Sequence, residues 1–173
     1  DITHAVFERV DWVSSEEITD AELADTMIGL DLSLVEDYSI FVPMMSVHLD
    51  ELVVVKPKAG SESKVEEQLS AHLDYIKDGA AFYPEQEIAA AGAVMGKTDD
   101  GFYYVVVHQV GSEIAEVIKN YKPGDEITKI DVPEIDGDGV TVVPTDELNG
   151  DADINAPAVM PGDTPVDDGV AVS

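Results

Sequence analysis

Three histidines sit where the chain pattern permits chemistry. His48 and His108 both fall in strand-like segments, and Asp50 lies two residues beyond His48 on the same side of an alternating run. If the two strands pair, two imidazoles and a carboxylate approach one another as a metal or acid–base cluster. The pairing register and facing that would decide this are not legible in one sequence. His72 occurs on an apolar helical stripe, one turn from Leu69 and Ile76. A lone histidine in that setting ordinarily packs in the core with a hydrogen-bond partner. Asp136-x-Asp138-Gly139, with Asp131 and Glu134 nearby, has the oxygen chemistry of a calcium loop but lacks its closing bidentate Glu at the expected spacing. The metal candidates are therefore His48, Asp50, His108, Asp136 and Asp138, and weak, diffuse divalent-cation binding suits the acid-rich sequence better than a tight site. Ser46, Ser61, Ser63 and Ser112 have no nucleophile motif around them, and no glycine run follows a strand and opens a helix as a phosphate loop requires. With no cysteine, disulfides, thiolate zinc sites and cysteine nucleophiles are excluded. No cofactor is implied, and the balance weighs against catalysis.

Charge narrows the partners further. There are 37 acidic and 9 basic residues, a formal net charge of −28, and Arg9 is the single arginine. Nucleic acid and anionic lipid surfaces are repelled, because too few cations are present to neutralise phosphates. A protein or peptide partner remains compatible. No apolar run reaches the length of a membrane span.

The elements that must position these residues follow from periodicity. Ile2, Val6, Val10 and Val13 suggest a helix over 2–13, with Trp12 as a packing anchor, and residues 14–20 read as a loop. Asp20 caps a second helix that faces Leu23, Met27 and Ile28 inward and stops at Gly29. Ser33-x-x-Glu36 reads as a capping box for one more turn. A strand region follows over 42–56, alternating at first and then running unbroken through Leu52-Val53-Val54-Val55. This run calls for burial on both faces, or a bulge near Asp50-Glu51. Ser63-x-x-Glu66 opens the clearest helix, with Val65, Leu69, His72, Leu73 and Ile76 in one stripe. Residues 89–97 and 102–108 form a hairpin across Thr98-Asp-Asp-Gly101, and Ser112 caps a last helix. Tyr103 and Tyr104 point to opposite sheet faces; both read simply as sheet residues, although one on an open face would be partly exposed and could help bind a peptide or protein.

The expected fold is α+β: a three-stranded antiparallel sheet, aromatic strand in the middle, with helices packed on one face and the first helices covering part of the other. Residues 1–121 form this domain. Residues 122–173 are an acidic, low-complexity Pro/Gly/Asp-rich tail whose only bases are Lys122 and Lys129, expected to be disordered or a loose hairpin.

The run Met44-Met45-Ser46-Val47 into Leu52-Val-Val-Val-Lys-Pro-Lys-Ala-Gly60, then a Glu/Lys helix, Tyr83-Pro84 and Gly101-Phe-Tyr-Tyr-Val-Val-Val107, resembles domain of unknown function 4358 over about residues 1–120. Gly29 to Tyr38 resembles that family's stretch before its first strand. The resemblance implies an extracytoplasmic protein of the lipoprotein type, anchored at the cell surface in its native form, with membrane association only through a lipid anchor outside this chain. No activity is established for that family, so it supplies no catalytic residues. Together these readings lead to a non-catalytic, surface-anchored binding or structural module. The alternative is a metal-binding or hydrolytic protein using His48, Asp50 and His108.

Overall fold

The computed structural model describes residues 1–134. In chain order the elements are α1 (Ile2–Arg9), β1 (Ser15–Glu17), α2 (Ala21–Ile28), a 3₁₀ turn (Leu32–Leu34), β2 (Val35–Pro43), β3 (Glu51–Pro57), α3 (Glu62–Asp78), α4 (Pro84–Ala91), β4 (Val94–Lys97), β5 (Tyr103–Val107) and α5 (Gly111–Asn120). The fold is α+β with an antiparallel sheet, but the sheet has five strands, not three, in the order β1-β2-β3-β5-β4.

The two extra strands come from segments whose local signals point elsewhere. Ser33-x-x-Glu36 opens no α-helix. Asp31 caps the 3₁₀ turn by accepting from the Ser33 N–H (2.9 Å) and hydroxyl (2.6 Å), and the chain then extends as β2. The pairing of β2 with β3 shifts between Val35 and Asp37, which breaks the period-two pattern that would mark a strand. β1 is a polar three-residue edge strand held by pairing with Phe41–Pro43. The expected first strand, 42–56, in truth spans the end of β2, a loop over 44–50, and β3. The irregularity expected near Asp50-Glu51 is this loop.

Helices cover both faces of the sheet, not one. Along β3 successive side chains alternate. Val53 and Val55 face α2, α3 and α4, joining Ala24, Ile28, Val65, Leu69, Ile76, Ala89 and Ala90 in one core. Leu52 and Val54 face α1 and α5, joining Val6, Val10, Ile114, Ala115 and Ile118 in the other. The unbroken apolar run is thus explained by a central strand buried twice over. Within α2 the inward residues are Ala24 and Ile28, while Leu23 and Met27 are exposed, a correction to the expected face. α4 replaces part of the expected weak strand: Pro84 occupies the first turn and Glu85 and Glu87 suit its N-terminus.

The β4–β5 hairpin forms at the expected turn, with Gly101 in the left-handed region (φ 86°) and the Thr98 Oγ1 accepting from the Phe102 N–H at 3.1 Å. Gly96 lies opposite Tyr104, whose ring fills the place of a side chain; a Cβ there would fall 2.2 Å from the phenol oxygen. Tyr103 and Tyr104 are both buried, as plain sheet residues, and neither ring is exposed.

Only residues 122–134 of the expected tail are described. They form no helix or strand, yet Ile130 donates its N–H to the Arg9 carbonyl at 2.8 Å and Arg9 donates to the Glu126 carbonyl at 3.0 Å. Ile130 and Val132 pack against the α1/α5 core. Arg9, buried at the end of α1, is thereby committed to main-chain oxygens and to the face of Tyr121 at 5.7 Å.

Candidate functional site

The start of β3 places two consecutive carboxylates, Asp50 and Glu51, on opposite faces of the sheet. Each meets one histidine. On the α3 side, the His72 Nε2 and Glu51 Oε2 lie 2.6 Å apart, with both residues more than nine-tenths buried. That is a short, direct hydrogen bond. His72 reaches Glu51 because it lies on the buried stripe of α3. The ring of Tyr75, one turn on, lies nearly parallel at 6.3 Å.

On the other side, the ladder that sets Glu51 against Val107 and Leu52 against Val106 brings His108 opposite Asp50. The His108 Nε2 stands 3.9 Å from the Asp50 Oδ1, beyond a direct hydrogen bond. The His108 Nδ1 accepts from the Val110 N–H at 3.1 Å, which leaves the proton of the neutral ring on Nε2. Burial dominates both groups. It pushes the imidazole below the ordinary 6.5 of histidine, with Asp50 pulling partly back, and it pushes the Asp50 carboxyl above its ordinary 3.8, with His108 opposing. Both pressures favour the neutral forms. Trp12 lies over His108 at 4.8 Å and tilted by 30°, and its other flank meets Phe7 edge-on at 5.5 Å. Trp12 is thus the packing anchor expected, and its stacking encloses His108.

His48 does not join this pair by contact. Its Nδ1 is directed to the Glu85 Oε2 at 3.6 Å, although its charge is felt at Asp50. Of the sequence candidates the fold therefore unites Asp50 with His108 and turns His48 toward α4. Among the described residues no three histidine or carboxylate side chains converge as a metal-ligand set. Asp136 and Asp138 lie outside the described residues. The pairing of Glu51 with His72 is the feature that sequence reasoning missed. The stripe marked His72 as buried, and a buried imidazole needs a polar partner, but Glu51 heads an apolar strand and has no local signal that marks it as that partner.

Two surface features adjoin these residues. The first is a cleft of about 640 Å³ between α2 and α3. Glu51, His72, Leu49 and Ile76 line it together with the exposed side chains of Met27 and Tyr75, and Asp25, Glu67 and Lys64 also border it. The second is a pair of loops, 44–50 and 79–83, that carry Met44, Met45, Val47, Phe82 and Tyr83, all exposed, with Phe82 at 82%. The buried side chain of Gln86 ties the loops together. Its Oε1 accepts from the Phe82 and Tyr83 N–H groups (2.8 and 3.2 Å), and its Nε2 donates to the Ser46 carbonyl (2.8 Å). Gln86 was also missed, although a Gln three residues beyond a helix's capping position is a readable signal.

Helices on both faces of a five-stranded antiparallel sheet and two histidine–carboxylate pairs define an acidic α+β domain. The chain belongs to the family described as domain of unknown function (DUF4358), whose sequence model matches residues 9–108. No curated protein and no solved structure matches the chain significantly. Among the described residues, no helix is long and apolar enough to cross a membrane.

Proposed function

We propose that this chain is a non-catalytic, extracytoplasmic binding module, held at the cell surface by an anchor outside this chain, and that its partner is a protein or peptide. The observation that carries the reading is the loop pair 44–50 and 79–83. Five large apolar side chains stand in solvent there, and a buried glutamine with three hydrogen bonds holds their backbones in place. Burying an amide side chain has a desolvation cost that these three bonds offset, and large apolar side chains gathered on tethered loops support an interaction site. Methionines suit such a surface because their flexible thioethers adapt to a partner's shape. Divalent cations bind weakly and diffusely over the acidic surface as counterions, not as a structural site.

The metal-binding or hydrolytic alternative rests on the approach of Asp50 to His108. That pair is less suited to chemistry: one imidazole nitrogen is occupied by a main-chain N–H, Trp12 covers the ring, and burial favours the neutral states.

The test places a photo-crosslinking residue at position 82 or, as control, at the exposed Asp100, in intact cells of the source organism. Discrete adducts from position 82 alone are expected, together with labelling of the chain by a membrane-impermeant amine reagent. A chain labelled only after lysis overturns the location, and equal crosslinking from both positions overturns the binding surface.

A further inference from the structure

The cleft between α2 and α3 has a largely buried acid on its wall. Glu51 is only 8% exposed and lines the cleft. Its Oε2 is engaged by His72, while Oε1 has no hydrogen-bond partner among the described residues. A carboxylate offers only acceptors, so a polar group that enters the cleft beside it is favoured if it donates, and a charged donor most of all. Anionic ligands are disfavoured, since Asp25 and Glu67 border the same cleft in a chain of net charge −28. The one cation at the rim, Lys64, already faces Glu67 at 3.4 Å. Met27 and Tyr75 add exposed apolar surface beside the acid, and Tyr75 is 62% exposed. An aromatic face there attracts a cation and covers an aliphatic stem. The cleft's volume of about 640 Å³ is more than one side chain fills, so it has room for neighbouring residues of the same segment.

We propose that the α2–α3 cleft receives an arginine side chain of a partner polypeptide, its guanidinium donating to the free oxygen of Glu51 and its stem lying against Met27 and Tyr75. This rests on the binding-module reading and adds a chemical class to it. Arginine is preferred to lysine because its planar fork donates several hydrogen bonds to carboxylate oxygens in a fixed geometry.

The experiment uses the full chain and a fluorescein-labelled, capped peptide Gly-Ser-Leu-Arg-Leu-Ser-Gly, with otherwise identical peptides bearing lysine or citrulline in place of arginine. Fluorescence anisotropy is expected to show saturable binding of the arginine peptide, about fivefold weaker binding with lysine, and about tenfold or greater loss with citrulline, which keeps the shape and removes the charge. Glu51→Gln is expected to weaken the arginine peptide by about tenfold. The exposed substitution Tyr75→Ser, which leaves the core untouched, is expected to weaken it by about threefold. Equal affinity for the citrulline peptide overturns the proposal, as does binding unaffected by Tyr75→Ser. Binding abolished by Phe82→Ser but not by Glu51→Gln removes the cleft and leaves the binding-module reading standing. Adducts from position 82 with no peptide bound at millimolar concentration likewise remove the cleft and spare that reading.

Discussion

Asp50 and Glu51 are neighbours in sequence and strangers in structure. On the face covered by α2, α3 and α4, Glu51 holds His72 at 2.6 Å; on the face covered by α1 and α5, Asp50 stands 3.9 Å from His108. The two histidines are comparably buried, so burial alone does not separate the pairs. What differs is what else each imidazole meets. His108 is capped by a main-chain N–H and roofed by Trp12, and its carboxylate is an incidental neighbour. His72 lies on the wall of an open cleft with Glu51 as its one close polar contact, and Glu51 keeps an oxygen in reserve. One face encloses its imidazole under an indole; the other leaves Glu51 and His72 on the wall of a cleft, although Asp50 is the more exposed of the two carboxylates, at 16% of its side chain against 10%.

This contrast can be broken at several places. The largest effects belong to the apolar residues beneath each face. Leu69 and Ile114 are both fully buried, one in each core, and Leu69→Ala and Ile114→Ala are each expected to destabilise the fold by about 2–5 kcal/mol in urea melts. If one of them costs less than about 1 kcal/mol, its layer is a loose cover and the sheet has only one structural face.

A smaller effect separates the two carboxylates. Glu51→Ala leaves His72 buried without its close partner and is expected to cost about 1–3 kcal/mol, whereas Asp50→Ala removes no direct hydrogen bond to His108 and is expected to cost less than about 1 kcal/mol. Chemical denaturation of the two variants side by side measures the difference, and equal losses would mean that the separation between 2.6 and 3.9 Å has no energetic content.

The finest test is titration of His108 by NMR. Burial holds its pKa below 6.5 in the folded chain, so the unfolded chain binds more protons in the window just below 6.5. Stability supplied by the neutral ring is therefore present above that value and declines as pH falls toward the folded pKa. Asp50 acts oppositely: its raised folded pKa gives a contribution present below 3.8 that is lost as pH rises through the folded value. Asp50→Asn removes the charge that pulls the imidazole upward and is expected to lower the His108 pKa further. A midpoint that rises on this substitution would show that Asp50 does not act on the ring through charge.

Much of the architecture was readable from local pattern. Asp20 and Gly29 bound α2 because a side-chain cap and a left-handed glycine are decided within a few residues. The β4–β5 turn and the stripe of α3 have the same local character. β1 was unreadable for the opposite reason. Ser15-Glu16-Glu17 buries no stripe of its own and becomes a strand only because Phe41–Pro43 offers hydrogen bonds. β2 hides behind the irregularity at its start and the Ser33-x-x-Glu36 pattern, in which Asp31 proves to be the operative cap. α4 was legible in principle, from Pro84 and the acids that follow, but its alanines resemble a weak strand when read alone.

Composition and contacts a few residues long were enough for the α+β class, the hairpin, the aromatic strand's place inside the sheet and the burial of His72. They were not enough for the rest. That helices cover both faces, that Glu51 rather than Asp50 grips a histidine, that His48 turns to Glu85 and that Gln86 joins two distant loops all emerge only when the chain is packed. Each of those depends on strand register and on which layer packs against which face. Shifting the β3–β5 register by one residue would send every side chain of that ladder to the other face, and nothing within any single segment specifies that choice.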